Sequence, residues 1–140
     1  MRAENIPVLV NEGRPIERGG ERIWICGVDS WFGETYDPGA ALSGVPEQEC
    51  RVVLLHEPDC ADEVSRIGAD FMMAGHSHGG QVRVPFVGAP VLPPMSRKYP
   101  IGLRTVNGMQ LYTSRGIGVI HLPIRFDCPP EITLFTLRRG

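Results

Sequence analysis

Two short, unbroken apolar runs constrain the fold of this chain more than any other feature of its sequence. The runs are Val52–Leu55 and Phe71–Ala74. Unbroken apolar runs of this length are typical of strands buried on both faces, as in a parallel sheet covered by helices. Between them, Asp59 is predicted to cap a helix that ends near Ile67, with Gly68 as its stop signal. The segment is therefore predicted to form a β-α-β unit.

The rest of the chain predicts shorter elements. These are a strand at Ile6–Val10, a hairpin around Gly19-Gly20, a short helix begun by Asp37-Pro38 and ended at Gly44, a proline-rich loop over Pro85–Pro100, a hairpin that joins Leu103–Val106 to Met109–Thr113 through Asn107-Gly108, and a strand at Ile132–Leu137. Apolar residues make up 42% of the 140 residues, enough for a core. We therefore expect one α/β domain over residues 1–140.

The net charge of −2 conceals an asymmetry between the two halves. Residues 1–70 contain 14 acidic and 6 basic residues, whereas residues 71–140 contain 2 acidic and 8 basic residues. A basic second half suits an anionic ligand or an acidic partner surface. Alternatively, the two halves neutralise each other in the fold. No nucleic-acid partner is expected, because the basic half has no interleaved aromatic residues and no nucleic-acid-binding motif.

The four cysteines, Cys26, Cys50, Cys60 and Cys128, form no C-x-x-C pair. Their spacing indicates free thiols in a reducing compartment rather than disulfides or a zinc knuckle. No apolar run reaches the ~18 residues of a membrane span, and the first residues do not have the pattern of a signal peptide. The chain as given is therefore expected to be cytoplasmic.

Three of the four histidines follow the two apolar runs directly. His56 comes after the first run, and His76 and His78 come after the second. Because the carboxyl ends of neighbouring parallel strands meet at one edge of a sheet, these imidazoles are expected to converge there. Glycines around the H-x-H pair free the backbone to bend, and neutral imidazole is a common metal ligand. The three histidines are therefore candidate metal ligands, whereas His121 is interpreted as an ordinary polar residue.

Two of these histidine segments match motifs of a known family. Leu55-His56-Glu57-Pro58 matches a lone histidine at a strand end, and Gly75-His76-Ser77-His78 matches G-H-x-H, continued here by Gly79-Gly80-Gln81. Further matches are Gly27-Val28-Asp29, Val84–Pro90, Tyr112–Gly118, Leu122–Phe126 and Pro129–Glu131. With these motifs, the chain resembles the calcineurin-like metallophosphoesterases, in particular their bacterial single-domain phosphodiesterase branch.

The resemblance implies a fold, a metal centre and a reaction. The fold would be the C-terminal part of a two-sheet α/β sandwich, with mixed β-sheets and flanking helices. The complete site would hold two divalent ions, such as Mn, Zn or Fe, with His56 and His76 on one ion and His78 on the other. The reaction would be hydrolysis of a phosphodiester or pyrophosphate by a hydroxide that the two metals activate.

The chain departs from the family in its missing motifs. Nothing in it matches D-x-H, G-D-x-x-D or G-N-H-[DE], which in the family precede the two motifs found here. These motifs supply the bridging aspartate and further ligands, so no residue here is assigned a certain catalytic role. We expect an incomplete enzyme that needs a missing N-terminal half, and membrane association if that half carries an anchor. Alternatively, the chain is a non-catalytic metal-binding or partner-binding remnant.

The resemblance also suggests a substrate class, a phosphorylated small molecule or a lipid head group. Arg115 and Arg125 are candidate substrate-binding residues, and Arg97-Lys98 is a second basic site. The alternative is that these cations pair with acidic residues of the first half. Asp29 is expected to have a structural role.

Overall fold

A computed structural model describes residues 6–138, which are built around one mixed sheet of six strands. The strands are β1 (Glu12–Arg18), β2 (Glu21–Gly27), β3 (Cys50–Leu54), β4 (Phe71–Ala74), β5 (Gly102–Val106) and β6 (Met109–Thr113). Their order in the sheet is β1-β2-β3-β4-β6-β5. The four central strands are mutually parallel, and the edge strands β1 and β5 run antiparallel to their neighbours. The carboxyl ends of β2, β3, β4 and β6 therefore lie at one edge.

The predicted β-α-β unit is confirmed, since β3 and β4 pair in parallel. The helix α2 (Ala61–Val64) joins them, with 3-10 turns at Pro58–Cys60 and Ser65–Ile67 on either side. Gly68 ends the helical segment in the left-handed region, at φ 91°. A residue without a Cβ adopts that conformation at little cost, as the stop signal predicts.

The capping role predicted for Asp59 is wrong. Its carboxylate instead accepts hydrogen bonds from the backbone N–H groups of Arg97 (2.9 Å), Lys98 (3.0 Å) and Tyr99 (3.0 Å). A carboxylate satisfies several loop amides as readily as a helix end, because both present unpaired N–H donors. Asp59 therefore holds the end of the proline-rich loop.

Both predicted hairpins and the first helix are confirmed. The β1–β2 hairpin turns at Gly19-Gly20, and the β5–β6 hairpin turns at Asn107-Gly108, with positive φ at all four turn residues. The helix α1 (Pro38–Leu42) begins after Asp37, whose carboxylate accepts the N–H of Ala40 at 2.8 Å. This is the N-cap that the sequence predicts.

The two terminal strand predictions, Ile6–Val10 and Ile132–Leu137, are wrong for a common reason. Neither segment belongs to a strand, because each lies over a face of the sheet rather than along an edge. A Cβ on Gly27 of β2 would collide with Leu9, 2.6 Å from its carbonyl oxygen. Phe135 packs its ring 5.1 Å from Phe71 and 4.9 Å from Tyr112. Leu9 and Phe135 thus contact the sheet without backbone pairing, whereas other apolar residues of these segments, such as Val8 and Leu134, are exposed.

The core lies on the face of the sheet that α1 and α2 cover. Its members are buried apolar side chains of strands and helices, including Cys26, Ala41, Val53, Val64, Met72 and Leu111. Trp24 packs against this core, and the four cysteines are free thiols, as predicted. The predicted α/β class is confirmed, although the strands of residues 6–138 form one sheet and not the two of a sandwich.

Charge pairing between the halves is sparse. Lys98 pairs with Asp62, whereas Arg22 pairs with Glu17 and Glu49 inside the first half. No helix within residues 6–138 has the length and apolarity needed to span a bilayer.

Candidate metal centre

His56 and His76 meet at the carboxyl edge of the sheet because they follow the paired strands β3 and β4. Their ring centroids are 4.9 Å apart, with an angle of 67° between the ring planes. The Gly75 N–H donates to the His56 carbonyl oxygen at 3.1 Å, which joins the two strand ends. The predicted convergence of these two imidazoles is therefore present in the structure.

Three donor groups lie close enough to share one cation. Ligand atoms of His56, Glu57 and His76 are all within 4.8 Å of one another. The Nε2 atom of His76 is 2.9 Å from the carbonyl oxygen of Pro94. Because a carbonyl oxygen only accepts, Nε2 carries the proton, and the lone pair of the neutral ring is on Nδ1. A hydrogen bond of this kind orients a metal-binding histidine and fixes its tautomer.

The surroundings of His56 favour the neutral ring, the form that binds metals, although the residue is partly exposed to solvent. Desolvation lowers the pKa of His56 below its usual value, and the nearby His76 and His78 lower it further, while the Glu57 carboxylate opposes them. Since the lowering effects prevail, the imidazole is neutral near pH 7, with one ring nitrogen free to bind a cation.

His78 lines the same cavity as His56 and His76 but stands apart from the close donor group. Its Nδ1 atom is buried and has no hydrogen-bond partner among the described residues. A buried polar atom without a partner is costly, and a bound cation would remove that cost. The three imidazoles and the adjacent carboxylate are also donors that suit divalent Zn, Mn or Fe. The residues present therefore fit a transition-metal centre.

Glu57 belongs to the candidate metal-binding group, although the sequence assigned it no role. It is fully buried, and its carboxylate accepts the Ser30 hydroxyl at 2.6 Å and the Trp31 N–H at 3.1 Å. These bonds attach the loop after β2 to the histidine site. Only its position directly after His56 could have suggested this role. In the same loop, Asp29 accepts the Ser30 N–H at 2.8 Å, in line with its expected structural role.

A cavity of about 510 Å³ extends from the histidines, with apolar walls beyond them. The lining residues other than the three histidines include Val82, Val91, Leu92, Ile120, Leu122 and Ile124. Gln81, which follows the G-H-x-H motif, fixes one wall of this cavity. Its side chain accepts the Ile120 N–H at 2.5 Å and donates to the Ile120 carbonyl at 3.1 Å. His121 also lines this cavity.

Arg115 and Arg125 are both engaged by the protein, and neither is among the residues that line the cavity. The Arg115 guanidinium pairs with Glu131, an acid of its own half of the chain. Arg125 donates to the backbone carbonyls of Arg115 (2.8 Å), Gly116 (3.3 Å), Gly118 (2.6 Å) and Cys128 (3.1 Å). It also reaches the His78 carbonyl at 3.4 Å. Both arginines therefore brace the loop that carries His78.

The chain is similar to curated bacterial proteins along nearly its whole length. It is 34% identical to "Phosphodiesterase YaeI" of Escherichia coli over 98% of the chain and 49% of that protein. It is 34% identical to "Uncharacterized metallophosphoesterase YkuE" of Bacillus subtilis over 85% of the chain and 42% of that protein. It is 28% identical to "UDP-2,3-diacylglucosamine pyrophosphatase LpxG" of Chlamydia trachomatis over 81% of the chain and 37% of that protein.

Two further comparisons give no match. No protein-family model matches the chain, and no solved structure does. The chain spans about half the length of the curated relatives it matches or less. Those relatives and the histidine motifs at the ends of β3 and β4 agree, and the chain belongs to the metallophosphoesterase family.

Proposed function

We propose that this chain carries the histidine part of a two-metal centre that hydrolyses a phosphodiester or a pyrophosphate. The observation that carries the proposal is the meeting of His56 and His76 at the ends of β3 and β4, next to a buried carboxylate. In the assignment taken from the resemblance, these two histidines hold one divalent ion and His78 holds the other. When bound, such ions polarise the phosphoryl group and activate the attacking water.

The contribution of this chain is to orient the ligands. The Pro94 carbonyl keeps the His76 proton on Nε2, and Glu57 ties the Ser30–Trp31 loop to the site. Arg115 and Arg125 are proposed to serve the substrate indirectly, by bracing the His78 loop, because internal partners occupy their guanidinium groups. The motifs that supply the bridging aspartate in the family are not found in the sequence, and Glu57, the carboxylate of the close donor group, already accepts hydrogen bonds from Ser30 and Trp31. We therefore propose that turnover requires residues outside this chain.

The proposed substrate class is a phosphorylated small molecule or a lipid head group. Two observations favour the lipid. One relative is named for a diacylated sugar nucleotide, and the cavity beside the histidines has apolar walls that suit an acyl chain.

Titration calorimetry with Mn²⁺ tests the metal centre. Mn²⁺ is preferred to Zn²⁺ because the exposed thiol of Cys50 would compete for zinc. We expect weak binding by the chain, and a loss of at least about tenfold in affinity for His56→Ala and for His76→Ala, since even residues that orient ligands are worth about 10–100-fold. His121→Ala is the matched control, because His121 lines the same cavity and is assigned no metal. Equal affinities for all these variants, or no binding by the chain, would contradict the proposal.

Hydrolysis of bis-p-nitrophenyl phosphate with Mn²⁺ tests whether turnover requires residues outside this chain. The chain alone should show no turnover in the usual enzyme range of about 1–10³ s⁻¹. Adding a polypeptide that carries D-x-H, G-D-x-x-D and G-N-H-[DE] should restore it. Turnover by the chain alone would refute the need for outside residues. Metal binding without rescue would favour the non-catalytic alternative.

A further inference from the structure

Exposed apolar side chains lie on two segments beside the cavity, which we call the apolar rim. The first segment is the turn Val84–Gly88, and the second is residues 117–124. The cavity is lined by residues on either side of the first segment, such as Val82 and Pro90, and by several residues of the second. The rim's exposed members are Val84, Phe86, Val87, Ile117, Val119, Ile120, Leu122 and Ile124. Phe86 is fully exposed and Val87 is 72% exposed. Contiguous apolar surface of this kind marks a binding face more often than single exposed apolar residues do.

The protein holds these residues outward by defined bonds. Backbone hydrogen bonds of 2.8 Å join Val84 and Gly88 in both directions and close the turn, with Phe86 near its tip at φ 66°. A bulky residue is uncommon in that region of φ, so the fold holds Phe86 in this conformation against its backbone preference. Gln81 fixes Ile120 of the second segment. Since neither segment is free to fold back onto the core, the apolar groups stay presented to the outside.

Basic residues outnumber acidic residues in the part of the sequence that carries the rim, although two of these cations are paired, Lys98 with Asp62 and Arg115 with Glu131. Residues 71–126 contain six basic residues and no acidic residue. Arg83 lies at the base of the Phe86 turn, where its Nη1 donates to the Gly79 carbonyl at 3.1 Å. Its Nη2 is 3.8 Å from the position that a Cβ on Gly88 would occupy. A cation therefore lies directly behind the protruding apolar tip.

We propose that the apolar rim docks onto an anionic lipid bilayer. Phe86 and Val87 enter the interface between head groups and acyl chains, and Arg83, at the base of the same turn, faces the anionic head groups. Apolar tips backed by arginine are the pattern of interfacial binding, in which burial of apolar groups and attraction to anionic lipids add together. A protruding turn suits a soft interface better than the flat or concave surface that a folded protein partner would need.

This inference goes beyond the proposed function, because bilayer contact requires neither the metal nor turnover. The two are connected only through geometry. If the proposed function holds, the cavity opens at the bilayer, and a lipid phosphoester reaches His56 and His76 with its acyl chain still in an apolar environment.

Vesicle flotation tests the proposal with the 140-residue chain. Flotation is preferred to sedimentation because aggregated protein sinks with the solvent fraction. We expect the chain to float with vesicles of equal phosphatidylglycerol and phosphatidylcholine, and much less with phosphatidylcholine alone or in high salt. The double variant Phe86→Ser/Val87→Ser should partition at least about tenfold less.

The control is Leu103→Ser/Leu134→Ser, at two positions outside the rim and the cavity, where the native side chains are 59% and 91% exposed. It should float within about twofold of the unaltered chain. Circular dichroism checks that each variant keeps its secondary structure. Three results would overturn the proposal: absence of flotation, equal flotation with neutral vesicles, or an equal loss of flotation in both double variants. Absence of flotation would indicate instead that the rim binds an acidic protein partner. Calorimetry with Mn²⁺ decides the proposed function separately.

Discussion

At the scale of single residues, three carboxylates fix the loops that surround the histidines. Glu57 binds the loop after β2, Asp59 binds the end of the proline-rich loop, and Glu131 binds Arg115 and Tyr112. Hydrogen bonds to ionised carboxylates are stronger than bonds between neutral groups, and a half-buried carboxylate without partners would be costly. The acidic residues near the site thus act as anchors of backbone and side chains.

The pH dependence of stability should reveal the Glu131 anchor. Burial alone would raise the pKa of Glu131, but hydrogen bonds from Tyr112 and Arg115 outweigh it and hold the pKa below its usual value. A carboxyl with a depressed folded-state pKa stabilises the protein above its unfolded-state value of about 4.3, and this contribution is lost as the pH falls through the folded-state pKa. Glu131→Gln should therefore lower the free energy of unfolding by about 1–3 kcal/mol at pH 7.

Urea unfolding at a series of pH values measures this effect. The deficit of Glu131→Gln should shrink as the pH falls below about 4, because both proteins then have a neutral side chain at position 131. Glu47→Gln, at an exposed position, is the control and should have little effect at any pH. A deficit that stays constant over the whole pH range would show that the charge of Glu131 contributes nothing.

At the scale of elements, the local sequence pattern predicted correctly those elements that depend on neighbouring residues. The strands β3 and β4, the Asp37 cap and both glycine turns depend on residues close together in sequence, and all were found. The strand predictions for Ile6–Val10 and Ile132–Leu137 were wrong. Pairing of a segment into a sheet depends on which distant part of the chain lies beside it, and local pattern does not contain that information. The candidate histidine ligands were predictable from their place at strand ends. Glu57 was not, because its partner Ser30 lies 27 residues away.

The loop that carries His78 depends on a glycine with no space for a side chain. Gly79 has φ 62°, and a Cβ there would lie 2.6 Å from the Cys128 sulfur and 2.9 Å from Cγ of Arg115. Gly79→Ala should therefore lower the free energy of unfolding by about 2–4 kcal/mol, from a left-handed backbone and overpacking together, and displace the His78 loop.

The β1–β2 turn offers a matched control for this substitution. Gly19 has nearly the same φ, 60°, but a Cβ there would have no neighbour within 4 Å. Gly19→Ala should cost only about 1 kcal/mol, the backbone contribution alone. Thermal unfolding of the two variants compares them directly. Equal destabilisation would mean that packing against Cys128 and Arg115 does not constrain the His78 loop.

At the scale of the whole molecule, the sheet has one well-covered face and one partly covered face. The face away from α1 and α2 carries Phe135 over one part and Leu9 over another. Between them lies an apolar cleft of about 390 Å³, whose lining includes Ile16, Ile25 and Leu54. Parallel sheets are almost always covered on both faces. This face is therefore the place where the additional length of the relatives would matter most.

The open face should make the purified chain self-associate. At about 25 cal/mol per Å², leaving some 500 Å² of apolar surface in water forfeits about 12 kcal/mol, comparable to the whole stability of a typical domain. We expect size-exclusion chromatography with light scattering to show oligomers or aggregates, and Ile25→Thr/Leu54→Thr to reduce them at equal concentration, since both residues line the cleft. Phe86→Ser/Val87→Ser, which alters the apolar rim instead, should leave the oligomers unchanged.

Co-expression with a polypeptide carrying the three missing motifs should give a soluble complex. A sharp monomer that unfolds cooperatively without a partner would show that the described sheet is stable with this face open to water.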